Sequence, residues 1–188
     1  IEGAKNILPN VVIYDPELTL TLSVNFSITS GLNAIAHAAE GLYAKDANPI
    51  TNLMAVEGMK ALQNALPQIF KEPQNLKSRS NALYGAWLCG SVLGNVGMSL
   101  HHKLCHVLGG SFDTPHAETH SIMLPHTIGF NSIAEKQKLL PVNKIFGETP
   151  GRGLYKFCSS LKAPQALKDL GLIEKDLEKA SDIAMQNV

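Results

Sequence analysis

His101-His102-Lys103-Leu104-Cys105-His106-Val107-Leu108-Gly109-Gly110-Ser111-Phe112-Asp113-Thr114-Pro115-His116-Ala117-Glu118-Thr119-His120 carries five of the chain's seven histidines, and a sixth follows in Leu124-Pro125-His126. His102 and His106 are spaced i,i+4, as are His116 and His120, so each pair projects from one face of a helix. Gly109-Gly110 reads as the stop of the first helix, and Thr114-Pro115 as N-cap and first residue of the second. Two helix ends that meet at a turn aim three or four imidazoles at one point. Such a cluster is a first shell for a divalent metal, since imidazole suits Zn and Fe. A single buried histidine is more often a hydrogen-bonded core residue, but several in one apolar stretch would each need a partner. His101 reads as a solvent-facing neighbour, and His120 and His126 fit either the site or the surface. HExxH is absent, which excludes a zincin-type protease, and Gly109-Gly110-Ser111 follows a helix without GK[ST], which excludes a phosphate loop.

Composition bounds what surrounds this cluster. With 188 residues, 45% hydrophobic and 17% charged, the chain can fold as one globular domain with a proper core. The formal net charge is zero and no basic block occurs, so nucleic acid is not an expected partner. No apolar run is long enough to span a bilayer, and a membrane is not expected either. Cys89, Cys105 and Cys158 are odd in number, far apart and outside any CxxC motif. They fit reduced thiols in a cytoplasmic protein better than a disulfide framework.

Along the chain, Asn10-Val11-Val12-Ile13-Tyr14 is short, β-branched and bounded by Asp15-Pro16, and it reads as the one strand. The rest reads as helix, so the expected class is all-α. Ser27 to Ser30 offer N-caps for a helix from about 30 to 45, with Leu32, Ile35, Ala36, Ala39 and Leu42 on one face. Asn48-Pro49 breaks it, and Thr51 opens a helix with Met54, Met59, Leu62 and Leu66 inward and a bend near Pro67. Ser78 or Ser80 opens a long helix to about Leu108. Its segment from Gly85 to Leu100 is apolar on most sides, which predicts a central, buried element. Two more helices are expected over 151–161 and 173–187. Ile1 is not an initiator Met, and the last residues stop inside a helical pattern, so the chain reads as a piece of a longer protein.

Gly31-Leu32-Asn33-Ala34-Ile35-Ala36-His37-Ala38-Ala39-Glu40 resembles the first metal-ligand helix of the iron-containing (group III) alcohol dehydrogenases. His102-x3-His106, Leu108-Gly109-Gly110, Thr114-Pro115-His116 and Leu124-Pro125-His126 resemble their second motif. The finer likeness is to the maleylacetate reductase subgroup. It is carried by His101 to Gly110, by Pro115-His116-Ala117-Glu118-Thr119-His120, by Asp46 to Ile50 and by Tyr14 to Leu18. The resemblance covers nearly the whole chain.

It implies a dehydroquinate-synthase-like enzyme of two domains with the active site in the cleft between them. Residues 1–20 would be the end of an N-terminal α/β domain and the connection. Residues 21–188 would be the helical domain, cut short at its C-terminus. No Gly-rich dinucleotide turn occurs in this chain, so NADH or NADPH would be held mostly by the other domain. The resemblance places the metal ligands at Asn33, His37, His102 and His116, with His106 near the nicotinamide. Asn33 stands where the dehydrogenases have Asp. An amide brings no negative charge, so Fe or Zn would bind more weakly here. The implied reaction is reduction of the enone double bond of maleylacetate to 3-oxoadipate, in the degradation of aromatic compounds. His106 and His102 would be catalytic, with Lys103 facing a small dicarboxylate substrate. The implied assembly is a homodimer, and this chain alone would be inactive. Two alternatives stand beside this reading: a metal-dependent group III alcohol dehydrogenase, and a non-catalytic helical metal-binding module.

Overall fold

A 3-10 turn, Pro16–Thr19, leads into eight helices in the computed structural model, which describes residues 9–186. The helices are α1 (Val24–Gly41), α2 (Pro49–Lys71), α3 (Leu76–Asn95), α4 (Leu100–Phe112), α5 (His116–Ala134), α6 (Leu140–Phe146), α7 (Pro150–Ser160) and α8 (Glu174–Gln186). A second 3-10 turn, Leu167–Leu170, precedes α8. The all-α class holds. The expected strand does not: residues 11–15 are irregular, with Val11 and Ile13 exposed. A strand exists only through its ladder, and no strand is present among the described residues to pair with it.

Helix α1 is the centre. Twelve of its eighteen residues are buried, and it packs on α2, α3 and α5. Small residues permit this: Ala34, Ala36, Ala38 and Ala39 let neighbours approach from several sides, while Ile28, Leu32 and Ile35 fill the core with Met59, Leu62 and Leu66 of α2. Its N-cap is Ser23, whose Oγ accepts from the Phe26 amide at 3.2 Å, so the helix begins a turn and more before the expected start. Helix α2 starts at Pro49, where Asn48 accepts from the Ile50 and Thr51 amides and Thr51 Oγ1 accepts from the Asn48 amide. Thr51 thus closes a capping box from inside the helix. Pro67 lies within α2, which runs on to Lys71. Arg79, buried on α3, pins the entrance of α1. Its Nε donates to Pro73 O at 2.9 Å and its Nη1 to Ser27 Oγ at 2.7 Å.

The expected long helix from 78 to 108 is two helices. Val96 is extended, and the Gly97 amide donates to both oxygens of Asp46, at 3.0 and 3.1 Å. That contact comes from the loop between α1 and α2, out of reach of any local pattern. Nor is α3 central. Its outer face leaves Tyr84 and Trp87 each 44% exposed, while Gly85, Leu88, Cys89 and Val92 face inward. Gly109-Gly110 does not stop α4 either. The helix passes through both to Phe112 and ends at Asp113, which is left-handed at φ 53°. Asp tolerates that conformation better than most residues. Helix α5 begins at His116, one residue later than expected, and the short α6 was not anticipated.

Helices α2 and α3 cross at Gly58 and Gly85. A Cβ on Gly58 would meet Cys89 Sγ at 2.7 Å, and one on Gly85 would meet Leu62 Cγ at 2.7 Å and Gly58 O at 3.0 Å. A Cβ on exposed Gly90 would meet nothing within 4 Å. Gly58→Ala or Gly85→Ala is therefore expected to cost about 1–3 kcal/mol in chemical denaturation. Gly90→Ala is expected to be neutral or to stabilise by up to about 1 kcal/mol. Equal effects at all three positions would refute the close crossing.

Candidate active site

Three helices bring the histidines together. His37 lies on α1, one turn after Asn33. His101, His102 and His106 lie on the first turns of α4, and His116 and His120 on the first turns of α5. The rings of His37 and His102 stack with centroids 4.9 Å apart. His102 lies 6.0 Å from His106 and 5.0 Å from His120. His120 lies 4.4 Å from His116 and 4.9 Å from His101. Six of the seven rings thus form one connected set, and exposed His126 stands apart. His37, His102, His106 and His116 all belong to this connected set, and Asn33 lies one turn before His37 on α1. His101, expected to face solvent, is fully buried, because α4 starts at Leu100 and its first turn is enclosed by α1 and α5.

The join between α1 and α4 is a carboxylate. Glu40 is fully buried. Its Oε1 accepts from the His101 amide at 2.7 Å and from Ser99 Oγ at 3.1 Å, and its Oε2 accepts from the His102 amide at 3.3 Å. Oε2 also pairs with His102 Nδ1. Burial alone would push the Glu40 carboxyl up. The hydrogen bond to His102 and the charges of His102 and His101 override it and hold the group at about 2. Ser99, at the N-cap of α4, makes no side-chain cap of its own, so Glu40 caps the helix from across the interface.

Four of the imidazoles are pushed toward the neutral form. Burial first, then neighbouring histidines, lowers His37 to about 4, against an opposing pull from Glu40. Burial lowers His101 to about 3, and burial with four neighbouring rings lowers His120 to about 2. His106, more exposed, is lowered by the same causes. Neutral rings can serve as ligands, whereas protonated ones cannot. At neutral pH the His37 ring therefore carries no charge.

Three buried acceptors in this locality have no hydrogen-bond partner: Asn33 Oδ1, His102 Nε2 and His120 Nε2. Orphaned buried acceptors are what a cation site looks like without its ion. Asn33, His37 and His102 with His116 thus fit a divalent metal in donor type. Among the described residues, the histidine, cysteine and carboxylate group whose donor atoms lie within 4.8 Å of one another is His101, Cys105 and His120. Both His101 nitrogens and His120 Nδ1 are already engaged. His101 Nδ1 is 2.8 Å from Thr127 Oγ1, and His101 Nε2 is 2.9 Å from His120 Nδ1. Burial also pushes the Cys105 thiol up, away from the thiolate a metal would need.

Beside the cluster opens a cleft of about 590 Å³, lined by Ser99, His102, Lys103, His106, Val107 and Ser111 among others. One wall carries the i,i+4 pair of α4, with Lys103 between. Sequence reasoning missed Glu40 and Thr127. Glu40 could have been found: it is the one carboxylate in an apolar helix, and it follows His37 by three residues. Thr127 had no comparable signal.

A profile of the Fe-containing alcohol dehydrogenase family, C-terminal, matches residues 27–188. The maleylacetate reductase of Rhizobium sp. (strain MTP-10005) is 58% identical over 181 residues, which are 96% of this chain and 52% of that protein. The crystal structure of that organism's maleylacetate reductase superposes with a TM-score of 0.95 at 57% identity, over 97% of this chain and 52% of that one. The maleylacetate reductase structure from Agrobacterium tumefaciens gives 0.94 at 56% identity, over 95% and 51%. The chain spans about half the length of the curated relatives it matches.

Acid should loosen this site early. The folded rings of His37, His101 and His120 have values depressed from 6.5, so below about pH 6.5 the unfolded chain takes up protons that the folded chain refuses. Stability then falls as pH falls. Glu40, depressed from 4.5 to about 2, adds a further loss in that lower window. Denaturation followed from neutral pH down to about pH 5 should show this decline before ordinary carboxylates titrate. His37→Gln should flatten it. A profile independent of pH above about 5 would contradict the neutral cluster.

Proposed function

The chain belongs to the Fe-containing alcohol dehydrogenase family, whose C-terminal part it matches, and we propose that it is the helical half of an NAD(P)H-dependent maleylacetate reductase. The reaction is reduction of the carbon–carbon double bond of maleylacetate to 3-oxoadipate, in the degradation of aromatic compounds. The observation that carries this reading is the cleft wall that sets Lys103 between His102 and His106, in a chain 58% identical to a protein of that name. Residues 1–20 are read as the connection from an α/β domain, and residues 21–188 as the helical domain. Three free, buried cysteines support a cytoplasmic location. No helix among the described residues is long and apolar enough to cross a membrane. The homodimer implied by the resemblance belongs to the proposal too.

A nicotinamide cofactor, held mostly outside this chain, would supply the hydride when bound, and the resemblance sets His106 near it. The Lys103 ammonium in the cleft attracts a substrate carboxylate. Hydride delivered to the alkene carbon remote from the keto group leaves an enolate. His106 is the proton relay in this reading: one ring nitrogen gives its proton to the carbon beside the keto group as the other is refilled from solvent. Its exposure suits that task. His102 lies 6.0 Å away, with its Nδ1 proton committed to Glu40, so it orients rather than donates.

Iron or zinc, if bound, would be held by Asn33, His37, His102 and His116, and would supply Lewis acidity. The orphaned oxygen of Asn33 and the open Nε2 of His102 fit such an ion. They also support the second reading, a metal-dependent alcohol dehydrogenase. Asn33 brings no charge, and the nearest buried carboxylate is Glu40, behind His102.

In the complete enzyme, His106→Ala should lower kcat for maleylacetate by about 10²–10⁴-fold with a smaller effect on KM. An unchanged kcat would remove His106 from the proton step. Asn33→Asp should raise Zn²⁺ affinity in a calorimetric titration. Equal affinities, or activity abolished by chelation and restored by Zn²⁺ or Fe²⁺, would favour the metal-dependent reading.

A further inference from the structure

We propose that His120 is a further binding residue of this site, and that two buried hydrogen-bond chains fix both His102 and His120 as the Nδ1–H tautomer, each offering its Nε2 lone pair to a divalent cation. The proposal rests on the cleft site described above but not on its substrate.

The proton positions follow from counting donors. Thr127 Oγ1 lies 2.9 Å from the Met123 carbonyl oxygen, which can only accept. The single hydroxyl proton is therefore spent on the helix. At 2.8 Å from the same oxygen, His101 Nδ1 must donate to it. A neutral ring has one N–H, so His101 Nε2 is an acceptor. His120 Nδ1 lies 2.9 Å from His101 Nε2 and must carry the proton between them. Cys105 Sγ, 3.7 Å from the same nitrogen, is a thiol that also donates to it. A neutral His120 ring has no second proton, so its Nε2 is bare. That nitrogen is buried and has no partner.

The other chain is shorter. The Glu40 carboxylate can only accept, and it pairs with His102 Nδ1. As a neutral ring, His102 is thus the Nδ1–H tautomer, and its unpartnered Nε2 is the second bare nitrogen. Two independent chains, one ending in a carboxylate and one in a helix carbonyl, give the same result on rings whose centroids lie 5.0 Å apart. Asn33 Oδ1 is a third unpartnered acceptor. Three buried acceptors with no donor among them cost free energy unless a cation or a donor-bearing group meets them. Outer partners of this kind fix which imidazole nitrogen binds a metal. Helix α5 therefore contributes through its second turn as well as through His116.

Neutron diffraction from crystals of the complete enzyme, grown without added metal, reads the protons directly and needs no variant. Deuterons are expected on Nδ1 of His101, His102 and His120, with none on Nε2 of the latter two. Calorimetric titration with Zn²⁺ alone should then show His120→Ala binding about 10-fold more weakly or worse than wild type. Thr127→Val, which keeps the ring and breaks the chain behind it, should also weaken binding and shift the His120 deuteron toward Nε2. A deuteron on Nε2 of His120 in the wild-type enzyme, or Zn²⁺ affinity unchanged in His120→Ala, overturns the proposal. Failure to reduce maleylacetate bears on the enzyme reading alone, since neither measurement uses substrate.

Discussion

A carboxylate buried at the join of two helices organises this molecule. An ionised Glu40 with no water around it would cost several kcal/mol if left unpartnered. It is met by two backbone amides, two hydroxyls and an imidazole. Three of those five donors belong to the start of α4, which has no side-chain cap of its own. The burial of the charge and the beginning of the helix are thus one event. Removing the carboxylate would leave the first amides of α4 unsatisfied and would free the ring of His102.

Position follows from that join. Because Glu40 sits one turn beyond His37 on α1, anchoring α4 to it places His102 against His37. The split between α3 and α4, held by Asp46 on the Gly97 amide, lets α4 leave the line of α3 and reach α1 at all. Helix α5 enters from the other side, and Thr127 in its third turn holds His101 as His101 holds His120. The cleft beside these rings is an outcome of three helix ends and their caps. The hydrophobic core supplies the platform: α1, lined with alanines, is gripped by α2, α3 and α5.

The charge balance is unusual for a histidine-rich site. Burial and mutual repulsion keep His37, His101 and His120 neutral, so the cluster is a source of lone pairs. Asn33 adds another acceptor without a charge. The negative charge lies one layer further out, on Glu40, behind the His102 ring. A cation would find donors ready and little direct compensation, which is the physical basis for expecting weak binding. In the cleft, Lys103 adds an ammonium beside the imidazoles.

Sequence by itself determined the all-helical class, the grouping of the histidines, and the family. Helical periodicity and i,i+4 spacing are local, and the motifs around His37 and His102 are strings that need no coordinates. Helix geometry turned the i,i+4 spacings into direction for His102, His106 and His116, and the family resemblance added Asn33 and His37. What sequence misjudged was set by contacts distant along the chain. The split at Val96 depends on Asp46, the burial of His101 on Glu40 and Thr127, and the outward face of α3 on α1 holding the centre instead. The segment 10–14 has β-branched residues but no neighbour to form a ladder with, so propensity alone did not make it a strand. Proton placement was decided only in three dimensions. Which nitrogen of an imidazole carries hydrogen depends on the acceptor opposite it, and those acceptors lie 26 and 62 residues away.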